Sequence, residues 1–223
     1  MNDKQNQSAS AGQVQRRLSN RIIGFSDGVF AIAITLLVLT IGAPSDLSSS
    51  EEVSSFLWEA LPRVVVYAAA FMVVGTFWLR HHRMFYMCRA VDGRMLVLNL
   101  AFLAFVSLLP LASGLLGAAQ TTSTVIAFCA VAGAATLCEF GMWRHLERHR
   151  DLLLPDIPAE LVTVRKSWRL WSLVILIVCV AVSFISPWAA VLMLLVLPRV
   201  YELAYHRRHH RHERTLYLLR DDL

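Results

Sequence analysis

The sequence predicts an all-α integral membrane bundle of six spans, with both termini in the cytoplasm. Three observations carry this. Hydrophobic residues make up 57% of the 223 and charged residues only 17%, with a mean hydropathy of +0.54. A soluble domain carries about 25% charged residues. Six apolar runs follow one another, at approximately 22–41, 61–79, 95–116, 124–143, 170–185 and 188–205. With the N-terminus inside, 20 of the 21 Lys and Arg residues fall on the cytoplasmic side and only Arg63 does not. A bias of that kind sets orientation. It also explains the net charge of +5 without a nucleic-acid partner.

Residues 1–17 are polar, rich in Ser, Gln, Asn and Ala, and read as a disordered cytoplasmic tail. Arg16, Arg17 and Arg21 precede the first run, Ile22 to Ile41. As a helix those 20 residues span about 30 Å, the thickness of a bilayer's hydrocarbon core. A signal peptide, with Ile41-Gly42-Ala43 near a cleavage site, is disfavoured by the length of the run and by the spans that follow.

Gly42 and Pro44 end the first helix, and an acidic stretch with Asp46, Glu51, Glu52 and Glu59 belongs outside. The second span is expected over Leu61–Leu79, with Pro62 in its first turn and Arg63 snorkelling outward. Arg80 to Arg94 reads as a basic cytoplasmic loop. The third span carries Asn99 and Ser107, with Pro110 near its far end. The fourth is rich in Ala and Gly, which permits close helix approach, and Glu139 near its end is within reach of Arg144. A long basic loop over 144–169, broken by Pro155 and Pro158, leads to the fifth and sixth spans, which turn at Ser186-Pro187. Those two are short enough to require tilt or local thinning. The 18–205 segment is thus one transmembrane domain, and 206–223 a basic, His-rich cytoplasmic tail.

Two features of the first span point to chemistry. At about 100° per residue, Ile32, Leu36 and Leu39 form one aliphatic stripe, flanked by Thr35 and Gly28. Spacing alone equally allows that stripe to face lipid or to pack as core. Asp27 lies about 140° from Ile32 on the same wheel, so it faces something else. A carboxylate at the edge of hydrocarbon is expensive, and is either functional or tightly paired. One reading makes it a helix-entry residue that meets the positive end of the helix. The other makes it part of a polar cluster, because Ser26, Asp27, Trp78, His81 and His82 all lie at the cytoplasmic ends of spans one and two.

Arg21-x-x-x-Phe25-Ser26-Asp27 followed by Gly-Val-Phe-Ala-Ile-Ala-Ile-Thr-Leu-Leu-Val-Leu resembles the signature first helix of the transmembrane protein 175 family. Phe77-Trp78-Leu79-Arg80-His81-His82-Arg83 and Leu98-Asn99-Leu100 resemble further landmarks, so the likeness covers most of the chain. The resemblance implies a potassium-permeable channel in which first helices from around the assembly line the pore. It implies a constriction at Ile32, a polar layer at Thr35 one turn on, and Leu36 and Leu39 along the same path. Arg21, Phe25, Ser26 and Asp27 would hold the helix in place, with Trp78, His81 and His82. One motif per chain implies a homotetramer in a bacterial or archaeal plasma membrane, since members with two motifs form dimers. Potassium would be the conducted ion; no cofactor, resident metal or small-molecule substrate is implied, and membrane lipids are the other partner.

The remaining residues support no other chemistry. No Thr-Val-Gly-Tyr-Gly filter, phosphate loop, nucleophile elbow or His-Glu-x-x-His occurs, so an enzyme is not expected. His145 and His149, or His206, His209 and His210, have helical spacing for a metal but no Cys or carboxylate at fixed spacing beside them. They read as a basic juxtamembrane surface facing anionic lipid heads, with a cytoplasmic pH response as the weaker reading. Cys88, Cys129, Cys138 and Cys179 show no metal spacing. The main rival is an ion-coupled secondary transporter, which would show internal repeats and polar mid-membrane sites. A membrane scaffold without transport activity is a third class.

Overall fold

The computed structural model describes residues 2–43, 49–155, 157, 159–198 and 200, with side chains from residue 19 onward except over 159–169. The described residues are helical almost throughout. α1 is Asn2–Leu37, extended by a 3-10 turn at Val38–Ile41; α2 is Ser50–Tyr86, α3 Gly93–Ala118, α4 Thr122–Arg148 and α5 Ala159–Ser183. A shorter apolar helix, α6, covers Pro187–Pro198. Ser19–Ile41, α2, α3 and α4 are each long and apolar enough to cross a membrane, while Leu170–Ser183 and α6 are shorter apolar helices.

α2, α3, α4 and α6 each start where a side chain satisfies one of the first N–H groups. Ser49 caps α2, accepting from the Glu52 N–H at 3.2 Å, while the Glu52 carboxylate accepts from the Ser49 N–H at 3.2 Å. This reciprocal arrangement satisfies two donors at the entry. Asp92 accepts from the Met95 N–H at 2.8 Å and starts α3. Thr121 caps α4 in a reciprocal pair with Thr124. α6 opens on Pro187, behind a cap in which the Ser186 hydroxyl accepts from the Ala189 N–H at 3.3 Å.

The helices overrun the spans expected from hydropathy. α2 begins at Ser50 and not at Leu61, so Pro62 sits in its interior and removes one backbone hydrogen bond there. It also continues through Arg80–Arg83, which the charge pattern assigned to a loop. Its 37 residues extend about 55 Å, well beyond the hydrocarbon thickness of about 30 Å. Charged residues that end a membrane span need not end a helix. α4 likewise continues through Arg144–Arg148, and α5 starts at Ala159 inside the expected loop. The 1–17 segment is helical from Asn2 rather than disordered; its Gln, Ala and Arg residues are adequate helix formers. The expected readings of Pro44, Pro158, the end of the sixth span and the His-rich 206–223 tail lie outside the described residues.

α3 is the centre of the protomer: it packs against α1, α2 and α4, and α4 continues the layer to α5. Phe30, Phe85, Phe102, Phe128, Met84, Met95, Leu109 and Met142 fill the core and are fully buried. Two connectors at the ends of α2 and α4 are laced together. Cys88 and Leu153 form an antiparallel bridge, and the Arg89 N–H donates to the Leu152 carbonyl at 2.8 Å.

Candidate functional site on the first helix

α1 has two sharply different faces. Ser26, Phe30, Ala33 and Leu37 are buried, at i, i+4, i+7 and i+11. On the other side Phe25, Ile32, Leu36 and Leu39 are exposed by 57%, 61%, 43% and 70%, and Thr35 and Gly28 are exposed with them. Of the four long spans α1 is the least covered: 22% of its apolar window is buried, against 44%, 39% and 44% for α2, α3 and α4.

The buried face is fixed by a polar chain inside the protomer. The Ser26 hydroxyl donates to the Ile22 carbonyl at 2.9 Å. It accepts from Asn99 Nδ2 at 3.1 Å. Asn99 Oδ1 lies 2.8 Å from His81 Nε2. An amide oxygen only accepts, so His81 Nε2 carries the proton and donates. Every donor in the chain therefore points one way, ending on a backbone carbonyl. Ser26, Asn99 and His81 are at most 1% exposed. The His81 ring lies between Phe85, with centroids 4.4 Å apart, and Phe102, at 5.6 Å and only 4° from parallel. Asp27 is held separately: Trp78 Nε1 donates to Asp27 Oδ1 at 2.9 Å.

The sequence-derived site residues thus separate into two groups. Ser26, Asp27, Trp78 and His81 make contacts that fasten α1 to α2 and α3. His82 does so only indirectly, with its ring 5.5 Å from that of Trp78. His81 bonds Asn99 rather than the Asp27 carboxylate. Asn99, absent from the expected site, is the central link; its signal was an amide alone in the apolar run from Met95 to Leu116. Arg21 and Phe25, expected in the anchor, are exposed and lie on the side of Ile32.

The far end of α1 is clamped as well. Arg63 does not only snorkel: its Nη1 donates to the Ile41 carbonyl at 3.0 Å, satisfying one of the helix's orphan acceptors. Gly42 follows with φ +81°, and a Cβ there would sit 3.2 Å from Arg63 Nη1. That conformation and that crowding both favour glycine.

Two further polar contacts hold the helices that support α1. Glu139 does not turn to Arg144. Arg80 Nε donates to Glu139 Oε1 at 3.0 Å, Arg80 Nη2 lies 2.6 Å from Glu139 Oε2, and Arg80 Nη1 donates to the Ser172 hydroxyl at 2.9 Å. This ties α2, α4 and α5 at one point, beside a cavity of about 50 Å³ lined by Thr76, Thr136 and Leu194 among others.

Near the connectors, His145 Nε2 lies 2.6 Å from Asp92 Oδ2, with the His149 ring 4.5 Å from that of His145. Among the described residues no group of three or more His, Cys, Asp or Glu side chains could hold a metal. Burial pushes the Asp92 carboxyl up, but hydrogen bonds from the Met95 N–H and His145 outweigh it and hold its pKa below the usual range. A lowered carboxylate pKa adds stability that is complete above the unfolded value of about 4 and is lost as pH falls through the folded value. Asp92→Asn keeps a competent N-cap and deletes the charge. It should lower thermal stability at pH 7 by no more than about 1 kcal/mol, because Asp92 is over a third exposed. The difference from the parent chain should narrow as pH falls below about 4 and close once pH passes the lower folded value. A gap in melting temperature that does not narrow at all as pH falls below about 4 would show that this charge is not its origin.

With this geometry in view, comparison with known proteins is informative. The family model for the endosomal/lysosomal potassium channel TMEM175 matches residues 21–110, which includes the whole anchor from Ser26 to Asn99. A potassium channel of Streptomyces collinus is 35% identical over 158 residues, 65% of this chain and 73% of its own length. The chain belongs to the TMEM175 family. The crystal structure of a lysosomal potassium-selective channel TMEM175 homolog from Chamaesiphon minutus superposes with a TM-score of 0.73 at 27% identity, covering 84% of this chain and 98% of that one. The mouse endosomal/lysosomal proton channel TMEM175 is 35% identical over 156 residues, but this chain spans only 30% of its length. The TMEM175-type chain described here is accordingly a multi-pass membrane protein of an ion-channel family, not an enzyme.

Proposed function

We propose that this TMEM175-family chain is a potassium-permeable channel in which α1 of each subunit lines a central path. The observation that carries the reading is the uncovered stripe Ile32, Leu36, Leu39 on the least buried span. Opposite it, α1 is anchored by buried polar contacts, so the stripe is held at a fixed orientation. One such face encloses nothing alone, and four around an axis do. The homotetramer, six spans with both ends cytoplasmic over 18–205, flanking segments 1–17 and 206–223, and a plasma-membrane location all belong to this proposal. Relatives named as potassium channels support the choice of ion.

Ile32 is the tightest ring in this account. A narrow aliphatic ring resists wetting, and a wider one passes a partly dehydrated ion. Thr35 supplies the polar layer. Its hydroxyl proton is committed to its own helix, with the carbonyls of Ala31 at 3.0 Å and Ile32 at 2.9 Å. What remains for the exposed side is oxygen lone pairs, which suit a cation. No cofactor takes part, and potassium passes without resident binding.

Purified protein in liposomes tests the reading. Potassium should leave down its own gradient with no pH difference imposed. Flux that requires a proton gradient would indicate the ion-coupled transporter instead. Proton flux without potassium flux would place the chain with the mouse relative's named ion, and an absence of any flux would indicate a scaffold.

A further inference from the structure

We infer that Arg21 and Phe25 belong to the conduction path and not to the anchor, and that Arg21 forms a ring of fixed positive charge that slows cation entry from its own side. The inference rests on the pore reading of the α1 stripe. Its geometric basis is the continuity of one helix. α1 runs unbroken from Asn2 to Leu37, so the directions of its side chains are tied to one another. At about 100° per residue, Arg21 and Phe25 fall about 20° to either side of Ile32. Leu39 coincides with Arg21 in direction, and Gly28 and Leu36 lie about 40° to either side of Ile32. Whatever Ile32 faces, Arg21 and Phe25 face too.

The burial pattern agrees. Phe25 is 57% exposed and Arg21 is exposed, whereas their sequence neighbours Ser26 and Asp27 are turned into the protomer. The four-residue motif therefore serves two sides of the helix. Ser26 and Asp27 fasten it; Arg21 and Phe25 extend the exposed stripe by about three turns toward the N-terminal end.

The chemistry follows from position. Arg21 lies about 16 Å along the axis from Ile32, and Phe25 about 10 Å. Phe25 makes a wide apolar collar before the constriction. A guanidinium is a planar, delocalised cation. Four guanidinium groups around an aqueous mouth lower the local potassium concentration there, an effect that extends about a Debye length and is screened by salt. Ion entry from the Arg21 side is then slower than from the far side, where Arg63 belongs to α2 and turns its guanidinium to the Ile41 carbonyl rather than standing on the stripe. The current should rectify, more strongly at low salt.

The test uses the full-length channel in planar bilayers with symmetrical potassium. Arg21→Gln should raise current entering from the Arg21 side about threefold or more relative to the opposite direction at about 20 mM salt, and by little at about 1 M. Arg21→Lys should rectify like the parent chain. In parallel, a positively charged thiol reagent is applied to Arg21→Cys and Ile32→Cys, with the parent chain and its four free cysteines as control. Both variants should lose current on modification beyond the control. Unchanged rectification in Arg21→Gln, or an inert Arg21→Cys beside a modifiable Ile32→Cys, would overturn this inference and leave the pore reading intact. An inert Ile32→Cys would overturn the pore reading itself, and the inference with it.

Discussion

Asn99→Leu should destabilise the protein by about 2–6 kcal/mol, the sum for two buried groups each left unsatisfied at about 1–3. Asn99 is the hydrogen-bonded bridge between α1 and the buried histidine: it donates to Ser26 and accepts from His81. Leucine has the same branching at Cγ but cannot hydrogen-bond, so the loss is chiefly one of hydrogen bonding. The His81 N–H would face an aliphatic side chain in a pocket where Phe30, Phe85 and Phe102 already contact the ring. Because Ser26 also donates to the Ile22 carbonyl, the α1 backbone keeps its own bond. The damage is to the register of α1 against α3. Thermal unfolding in detergent should show the loss, and conduction should fall in the protein that remains folded. Ser26→Ala should cost less, since it orphans the Asn99 amide alone. Equal melting temperatures for Asn99→Leu and the parent chain would remove this network from the account.

Glu139→Ala should cost about 3–5 kcal/mol, the typical penalty for leaving one member of a buried ion pair uncompensated. The Glu139 side chain is 1% exposed and that of Arg80 13%. Among the described residues Arg80 would keep the Ser172 hydroxyl, at 2.9 Å, and the Phe77 ring, 5.9 Å from its guanidinium carbon, and neither is a charge. The pair itself is weak evidence for stability, because desolvating two charges offsets much of their attraction. Replacing both, as in Arg80→Met with Glu139→Leu, should therefore recover most of the loss. If the double variant were as unstable as Glu139→Ala, shape and packing at the α2–α4–α5 junction would be the cause, and not the stranded charge.

How much of this was legible in the sequence depends on the range of the interaction. The α1 stripe was readable because Ile32, Leu36 and Leu39 obey a local period. Asp27 was placed off that stripe by the same arithmetic, and its hydrogen bond to Trp78 lies on that other side. Helix ends were poorly readable, since hydropathy reports where hydrocarbon stops and not where backbone hydrogen bonding stops. Ser49 and Glu52 look like loop residues until their reciprocal cap is seen. The Arg80–Glu139 pair joins positions 59 residues apart on different helices, which no spacing rule reaches, and nearby Arg144 was the natural but incorrect partner. Asn99 was visible as an unusual residue in an apolar run, yet its partners on α1 and α2 were not. Arg21 and Phe25 were grouped with Ser26 and Asp27 because they share a motif; the helical period, applied to the motif itself, divides it.

The central claim is that α1 lines the path and Ile32 is its narrowest ring. Single-channel recording of potassium and sodium currents through the parent chain and Ile32→Asn tests it most directly. Ile32 is 61% exposed on the protomer, so the substitution leaves the protomer core intact. A polar ring wets more readily than an aliphatic one. The variant should carry a larger current, with the potassium-to-sodium ratio moved toward one. Unchanged conductance and selectivity in Ile32→Asn, with the parent chain conducting, would contradict the claim and put the constriction elsewhere.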